Sequence, residues 1–332
     1  MSERSIVLMF SGQGSQYYQM GHSFFDANAQ FRRLLIDLDE MAIPIFGLSI
    51  IDVLYDEHRR KSDPFNDIKL TSAAIFMVEY ALARVLIDDG VKPDYLLASS
   101  LGLYAAAAVS GVLEPRDVLT CLAKVSAAYE TFCPKASMVA ILGSPALHRD
   151  LTTLREHSDI AAVNLDSHFV ISTTVEHLAR ICATLRGEDI TFQEINVPYA
   201  FHSRWIDGAR DAVLRILGTL HYRQPTIPIV CCAQAKLIET VSPATFWNSV
   251  RQPIEFARTI AELEKRCPYD YIDVGPAGTL ATFLRYALHT PSASRAYPTL
   301  SPFNSDLKNY QRIISEITDI PSDNMKQLST HG

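Results

Sequence analysis

The chain has 332 residues, of which 48% are hydrophobic and 20% are charged, and its formal net charge is −7. This length fits about two domains, or one domain with an insertion, and the composition is typical of a globular enzyme with a substantial core. The negative charge argues against nucleic acid or an anionic membrane as the main partner.

The cysteine pattern and the absence of long apolar runs narrow the class of protein. None of the six cysteines belongs to a C-x-x-C pair, and no spacing of cysteine and histidine indicates a zinc site, so no metal is expected. Neither a membrane span of about 18 apolar residues nor a signal peptide can be recognised. We expect a cytoplasmic protein with reduced thiols.

The first 135 residues alternate between strand-like and helix-like segments, which predicts an α/β sheet with parallel strands. A glycine turn at residues 11–16 follows the first strand. Thr71 or Ser72 is expected to cap the long helix predicted over Thr71–Asp88. The predicted strands are Ile6–Phe10 and Tyr95–Ala98, and the predicted helices are Phe24–Leu38, Thr71–Asp88, an alanine-rich helix after Leu101, and Arg116–Thr131.

Residues 136–197 show a different order, β-α-β-β-α-β, which is the ferredoxin-like arrangement. We predict a small inserted subdomain here, with residues 1–135 and 198–320 forming one large hydrolase-like domain and residues 321–332 a flexible tail. The predicted segments of the insertion are Met138–Leu142, Ala146–Glu156, Ile160–Val163, Phe169–Ser172, Val175–Leu185 and Ile190–Ile195.

Helices and strands alternate again after the insertion. The predicted fold class is therefore α/β, a hydrolase-like core with a mostly parallel sheet plus the small ferredoxin-like subdomain. The predicted later strands are Ile227–Cys231 and Tyr269–Val274, and the predicted later helices are Trp205–Leu217, Ile254–Lys265, Thr279–Leu288 and Asn304–Ile317.

The turn after the second strand has the features of a nucleophile elbow. Ser100 stands where the strand ends, and Ala98 and Gly102 are small residues two positions before and after it, a degenerate form of G-x-S-x-G. Such a turn exposes the serine above the sheet edge and points backbone N–H groups at a ligand. Among ten histidines, His202 is the best candidate base, because it lies in a loop where the chain returns to the large sheet.

Five motifs occur in order over about residues 5–300: Phe10-Ser-Gly-Gln-Gly-Ser-Gln16, Ser100-Leu-Gly102, Ala162-Val-Asn164, Tyr199-Ala-Phe-His202 and Val274-Gly-Pro276. Together they resemble the malonyl-CoA:acyl-carrier-protein acyltransferase family, which includes the acyltransferases of polyketide synthases. The amino-acid sequence around the first motif is most similar to that of free-standing acyltransferases, which serve synthases that lack an acyltransferase domain of their own.

The resemblance implies a ping-pong mechanism in which Ser100 attacks a thioester and His202 is first general base and then general acid. It implies an oxyanion hole formed by the backbone N–H groups of Gln13 and Leu101, and a histidine oriented by a backbone carbonyl. Asn164 matches a position near the active site, where a structural role is an equal alternative. No bound cofactor is implied; the substrate is an acyl thioester on phosphopantetheine of an acyl carrier protein, or on CoA.

Three departures from the family pattern point away from a malonyl substrate. The elbow carries Ser99 and Leu103 where the family has histidine and glutamate, and Val125 with Ser126 replaces the Arg-Gly pair whose arginine binds the carboxylate. A buried carboxylate without a partner costs on the order of several kcal/mol. We therefore expect a non-malonyl acyl group in an apolar pocket lined by Leu103, Val125 and Phe201.

The stretch that contains the histidine carries a mixed substrate signature. Tyr199 resembles the first residue of a methylmalonyl-type motif, whereas Phe201 resembles the third residue of a malonyl-type motif. Because the arginine is replaced by Val125, this stretch does not decide between those two substrates.

Three functions remain open at this point. The acyl group on Ser100 can pass to another carrier thiol, which makes the protein an acyltransferase of polyketide or fatty acid biosynthesis. It can pass to water, which makes the protein an acyl-carrier-protein hydrolase that removes stalled chains. A non-catalytic carrier-docking protein is the third reading, and the retained Ser100, His202 and Gln13 argue against it.

Docking of a carrier protein requires a local basic patch, because carrier proteins are usually acidic and this chain is acidic overall. Arg204 follows the histidine loop directly, and Arg251 is a second candidate. Both are predicted to contact the carrier of a polyketide synthase.

Overall fold

The computed structural model describes residues 4–195, 197–288 and 292–318. The predicted tail over residues 321–332 lies outside them. The strands are β1 Ser5–Phe10, β2 Tyr95–Ala98, β3 Ala136–Leu142, β4 Asp159–Leu165, β5 His168–Thr174, β6 Phe192–Ile195, β7 Ile229–Cys231, β8 Lys236–Leu237, β9 Tyr269–Asp273 and β10 Arg295–Pro298. The helices are α1 His22–Ala27, α2 Ala29–Phe46, α3 Ile50–Leu54, α4 Ile68–Asp88, α5 Gly102–Val109, α6 Pro115–Phe132, α7 Ala146–Asp150, α8 Thr152–His157, α9 Val175–Gly187, α10 Arg210–Leu217, α11 Pro243–Arg251, α12 Phe256–Glu264, α13 Thr279–Ala287 and α14 Asp306–Ile317.

The larger sheet of the described residues has the strand order β10-β9-β1-β2-β7-β8. Every neighbouring pair in it is parallel except β7–β8, which is antiparallel. Strand β1 lies between β9 and β2, and Phe10 pairs with Ala98 at the carboxyl ends of β1 and β2. The glycine turn and the serine elbow therefore leave the sheet side by side at the same edge.

Helices cover both faces of this sheet. Successive side chains of a strand point to opposite faces, so Leu8 and Phe10 pack in the core that contains α4 and α5, while Val7 and Met9 pack in a second core with α12 and α13. Strands buried on both faces read as continuous apolar runs, as β1 does.

The smaller sheet is antiparallel, in the order β4-β5-β3-β6. With α9 following β5, this is the ferredoxin-like order, and the sheet has its own core, formed by residues that include Val139, Phe169 and Ile181. A mostly parallel sheet plus a small antiparallel sheet confirms the predicted fold class.

Several predicted segments differ from the observed ones in their ends or number. The helix predicted over residues 146–156 is two short helices, because Leu151 adopts an extended conformation with φ −91° and ψ 110°. The helix predicted to start at Trp205 begins as a 3-10 helix, Arg204–Ala209, before α10. Among the described elements, α3, α11, β8 and β10 were not predicted.

Helix α4 also begins earlier than predicted. Its cap is Asp67, whose side chain accepts from the backbone N–H groups of Lys69 and Leu70, so the prediction of Thr71 or Ser72 as the cap is wrong. An aspartate directly before the first turn satisfies free N–H groups and complements the helix dipole.

Helix α4 is, within the described residues, long and apolar enough to cross a membrane, with a mean hydropathy of 1.7, but 78% of that stretch is buried inside the protein. It packs against α2, α5 and α6. It is therefore the central core helix of the large domain.

Candidate active site

The elbow at Ser100 depends on two glycines. Ser100 has a φ of 55°, in the left-handed region that side-chain-bearing residues rarely adopt. A Cβ on Gly102 would lie 2.4 Å from the carbonyl oxygen of Phe10, and one on Gly12 would lie 3.0 Å from the Cβ of Ser100. The helix start and the glycine turn can approach the serine only because both positions lack a side chain.

Ser100 and His202 form a hydrogen-bonded pair. Ser100 Oγ lies 2.9 Å from His202 Nε2, and His202 Nδ1 lies 2.7 Å from the carbonyl oxygen of Gln252. Because a carbonyl only accepts, Nδ1 carries the proton, and Nε2 is free to accept from the serine. The helix α11 that was not predicted supplies this support, since the N–H of His202 also donates to the carbonyl of Val250 at 2.8 Å.

Burial lowers the pKa of His202 to about 4, and the hydrogen bond to Gln252 opposes this only in part. The side chain is 3% exposed. The imidazole is therefore neutral at neutral pH, which is the form that can take a proton from Ser100.

Gln13 and Leu101, whose backbone N–H groups were predicted to form an oxyanion hole, line the same small cavity as Ser100. In the part of the chain that the structure describes, neither of these N–H groups donates to a protein acceptor. Gly12 packs against the elbow, with its Cβ position 3.5 Å from the nitrogen of Leu101. Two unpaired N–H groups beside a serine, one at the start of α5, are the donors that a developing oxyanion requires.

The two residues wrongly predicted as helix caps instead hold the side chain of Gln13. Its Nε2 donates to Ser72 Oγ at 2.8 Å, and Thr71 Oγ1 donates to its Oε1 at 3.3 Å. Helix α4 therefore fixes the glycine turn from one side.

Glu79, which the sequence reasoning missed, fixes the same turn from beneath. Its Oε1 accepts from the backbone N–H of Ser11 at 2.7 Å and from its hydroxyl at 2.8 Å, while Oε2 has no partner. Burial, reinforced by nearby Asp273, raises the pKa of Glu79 well above its usual range. The available signal was a single glutamate on the apolar face of a core helix.

A small inner cavity of about 30 Å³ adjoins Ser100 on one side. Val125 and Phe201 line it as predicted, whereas Leu103 is fully buried in the main core and does not line it. The prediction for Leu103 is therefore wrong, because the first turn of α5 directs this side chain into the core. The described lining residues, none of which is charged, are Gln13, Ile68, Ser72, Ser100, Leu101, Tyr104, Leu122, Val125, Ser126, Tyr129, Phe201 and Val250.

An inter-sheet cleft of about 400 Å³ adjoins Ser100 on the other side, between the glycine turn and the small sheet. Ser99 and Asn164 line it, together with His202. Asn164 Nδ2 lies 3.2 Å from His168 Nδ1, so its amide is paired within the small sheet. Ser100 lines both spaces, so it can be reached from two sides.

Tyr199 lies one layer behind the inner cavity. It does not line that cavity, but its ring packs against Tyr129 and Phe201, with centroids 6.4 Å and 6.1 Å away, and both of these line it. It supports the wall of the cavity and does not touch its contents.

Both predicted docking arginines are paired with aspartates. Arg251 makes two hydrogen bonds to Asp207, at 2.6 Å and 3.1 Å. Arg204 forms an ion pair with Asp159 at 3.2 Å, and its side chain is 52% exposed. Arg204 is the more accessible of the two, and neither adds an unpaired positive charge.

Comparison with known proteins finds a family and relatives that match most of the chain. Residues 7–320 match the family described as the acyl transferase domain. The chain is similar to the polyketide biosynthesis acyltransferase homolog BaeD of Bacillus velezensis, 43% identical with 95% of this chain and 98% of that protein covered. It is similar to PksD of Bacillus subtilis, which bears the same description, 41% identical with 93% and 95% covered.

Solved structures show the same fold at lower identity. A loading acyltransferase from the avermectin modular polyketide synthase is similar with a TM-score of 0.84 at 23% identity, covering 94% of this chain and 99% of that one. FabD of Xanthomonas oryzae, a malonyl-CoA:acyl carrier protein transacylase, is similar with a TM-score of 0.81 at 19% identity, covering 95% and 99%. These findings confirm the predicted resemblance.

Proposed function

Because the chain belongs to the acyl transferase domain family, we propose that it is a serine-dependent acyltransferase of polyketide biosynthesis that acts on acyl groups carried by an acyl carrier protein. The observation that carries the proposal is the Ser100–His202–Gln252 chain of hydrogen bonds beside two unpaired N–H groups. The whole-length similarity to two polyketide acyltransferase homologs supports the biosynthetic context.

The proposed reaction has two half-reactions. Ser100 Oγ attacks the thioester carbonyl carbon while its proton passes to His202 Nε2, and the oxyanion accepts from Gln13 N–H and Leu101 N–H. The C–S bond then breaks, and the departing phosphopantetheine or CoA thiolate takes the proton from His202. A second carrier thiol gives its proton to His202 and attacks the acyl-serine ester; the bond between the carbonyl carbon and Ser100 Oγ then breaks, and Ser100 takes the proton back from His202. No bound cofactor takes part in these steps.

The proposed substrate is a non-malonyl acyl group. Among the described residues, the lining of the inner cavity contains no arginine or lysine, and Val125 occupies part of its wall. A malonyl carboxylate placed there would lose its hydration without gaining a cationic partner. An apolar acyl group incurs no such cost.

Hydrolysis of the same acyl-serine is a second candidate. The inter-sheet cleft reaches Ser100 and His202 directly, so water can approach the ester from the side on which the thiol leaves. Incubation of an acylated carrier protein with the enzyme, with and without a second carrier, separates the two functions. Equal release of free acid in both samples would favour hydrolysis over transfer.

We predict that the purified protein forms an acyl-enzyme with acetyl thioesters and not with malonyl-CoA. Intact mass should show the acetyl increment, with malonyl occupancy at least about 100-fold lower at equal concentration, because several kcal/mol of uncompensated desolvation correspond to such a ratio. Appreciable malonylation of Ser100 would contradict the substrate assignment and would leave the serine mechanism in place.

Arg204 is proposed to contact the carrier protein at the mouth of the cleft. Arg204→Ala would leave the charge of Asp159 unpaired and repel an acidic carrier, so we predict a several-fold rise in KM for carrier-bound acyl groups and little change for small thioesters. Arg223, paired with Glu114 beyond the far end of α5, provides the matched control, Arg223→Ala. Equal effects of Arg204→Ala on both substrate types would count against docking.

A further inference from the structure

The inner cavity is too small for anything but a very short acyl group. One water molecule requires a cavity volume of at least about 10–15 Å³. The 30 Å³ of the inner cavity therefore offers room for about two non-hydrogen atoms beyond the reacting carbon. An acetyl group fits as the residues stand. A longer chain must leave the cavity through its wall.

Ile68 and Ser126 form a part of the cavity wall that adjoins a second space. These two residues line the inner cavity and also a second, larger space of about 550 Å³ on the outer side of α6, here called the outer cleft. Ile68 is the first residue of α4 and is only partly buried, so it has fewer neighbours than the core residues that form the rest of the wall.

The Ser126 hydroxyl marks the same place. Its side chain is 4% exposed, and within the described residues its Oγ has no hydrogen-bond partner. The hydroxyl is not one of the fully buried side-chain atoms without a partner in the described residues, so part of its surface is open to the adjoining spaces. The wall between the two spaces is therefore formed here by a small side chain.

The outer cleft suits the far end of a chain that carries polar groups. It is open to solvent, and its described lining contains Lys69, Lys124 and Lys135. Two acidic residues, Asp67 and Glu130, also line it, and the carboxylate of Asp67 is engaged in capping α4. A terminal hydroxyl, ketone or carboxylate would stay hydrated there or meet an ammonium group.

We propose that Ile68 and Ser126 form a gate through which acyl chains longer than acetyl pass from Ser100 into the outer cleft, so that the substrate class includes medium-length chains with polar ends. The inference rests on the acyl-serine chemistry proposed above and goes beyond it. Whether the enzyme accepts an acyl group with a terminal carboxylate then depends on the length of the chain. A carboxylate at the third carbon lies in the inner cavity without a cationic partner, whereas one at the sixth carbon reaches the outer cleft.

The test uses acetyl, hexanoyl and adipoyl thioesters of N-acetylcysteamine, with Ser100 acylation followed by intact mass. The wild-type protein should accept all three. Ala127→Phe, at an exposed position of α6 that lines the outer cleft and not the inner cavity, should obstruct the cleft and slow hexanoyl and adipoyl loading at least about tenfold, with acetyl loading changed less than about threefold. Thr131→Phe, at an exposed position of α6 that lines neither space, is the matched control and should change none of them.

The gate would be disproved if the wild-type protein failed to load hexanoyl or adipoyl groups while loading acetyl. It would also be disproved if Ala127→Phe slowed all three alike or none of them. Absence of labelling with every probe, acetyl included, would instead overturn the proposed acyl-serine function, so the two failures are distinguishable.

Discussion

Ser100→Ala should abolish the acyl-enzyme and lower turnover of acyl thioesters at least about 10⁴-fold, since removal of the serine nucleophile of a protease costs about 10⁶-fold. Ser100 Oγ is the atom that both contacts His202 Nε2, at 2.9 Å, and borders the inner cavity and the inter-sheet cleft. Without it, the neutral imidazole has no hydroxyl to activate. Intact mass after incubation with acetyl thioester gives the acylation, and thiol release gives the turnover.

Ser99→Ala is the matched control for this substitution. Ser99 is the neighbouring residue, is also buried, and lines the inter-sheet cleft without a hydrogen bond to His202. We expect its activity to stay within about tenfold of the wild type. Persistence of the acyl increment in Ser100→Ala would show that another residue carries the acyl group and would contradict the proposed mechanism.

The pH dependence of wild-type acylation offers a second readout of the same pair. Burial lowers the pKa of His202 to about 4, so the imidazole remains neutral as the pH falls below the ordinary histidine value of about 6.5. The acylation rate constant should therefore hold across that range and fall only as the pH approaches 4. A fall centred near 6.5 would show that His202 is not the base in its observed environment.

The elbow and the base could be predicted from sequence because both have side-chain signatures. A serine between an apolar strand and an alanine-rich helix, with small residues two positions away, indicates a tight turn whatever the rest of the chain does. Ser100 and His202 are 102 positions apart in sequence, and their pairing followed from the topology of the α/β fold combined with the family resemblance.

The supports of the site could not be predicted in the same way. The carbonyl groups of Val250 and Gln252 hold His202, and a carbonyl is present in every residue, so its role leaves no trace in the sequence. Helix α11, which positions these groups, has a capping box formed by Ser242 and Thr245. Thr at the third helical position lacks the usual glutamate or glutamine signature, so the motif was not recognised.

The residues that line the inner cavity were predicted only in part. Val125 was predicted to line the pocket because it stands where the family pattern has the carboxylate-binding arginine, and the regular helix α6 places it in the wall of the inner cavity. Leu103 was predicted to line the pocket because it stands where the family pattern has a glutamate, but it does not line the inner cavity. Ser100 has a left-handed φ and precedes α5, so its side chain does not follow the phase of that helix, and Leu103 in the first turn is fully buried in the main core.

Gly102→Ala should destabilise the protein by about 3 kcal/mol or more, even though alanine is the better helix former by about 1 kcal/mol at an ordinary helical position. The added Cβ would lie 2.4 Å from the carbonyl oxygen of Phe10 and 2.6 Å from that of Ser11. Both are backbone atoms at the end of β1, the strand between β9 and β2, and the Phe10 carbonyl also accepts from Ser99 N–H at 3.0 Å. Neither atom can retreat without disrupting the β1–β2 pairing and the elbow together.

Gly187→Ala tests whether the effect comes from this contact and not from loss of a glycine as such. Gly187 is the last residue of α9, and a Cβ there would meet nothing within 4 Å. The substitution should leave stability unchanged or raise it by about 0.4–1 kcal/mol, because alanine restricts the unfolded chain. Denaturant midpoints of both variants measure the difference. Similar midpoints would mean that β1 and α5 can separate without cost, and the elbow geometry would then lose its physical basis.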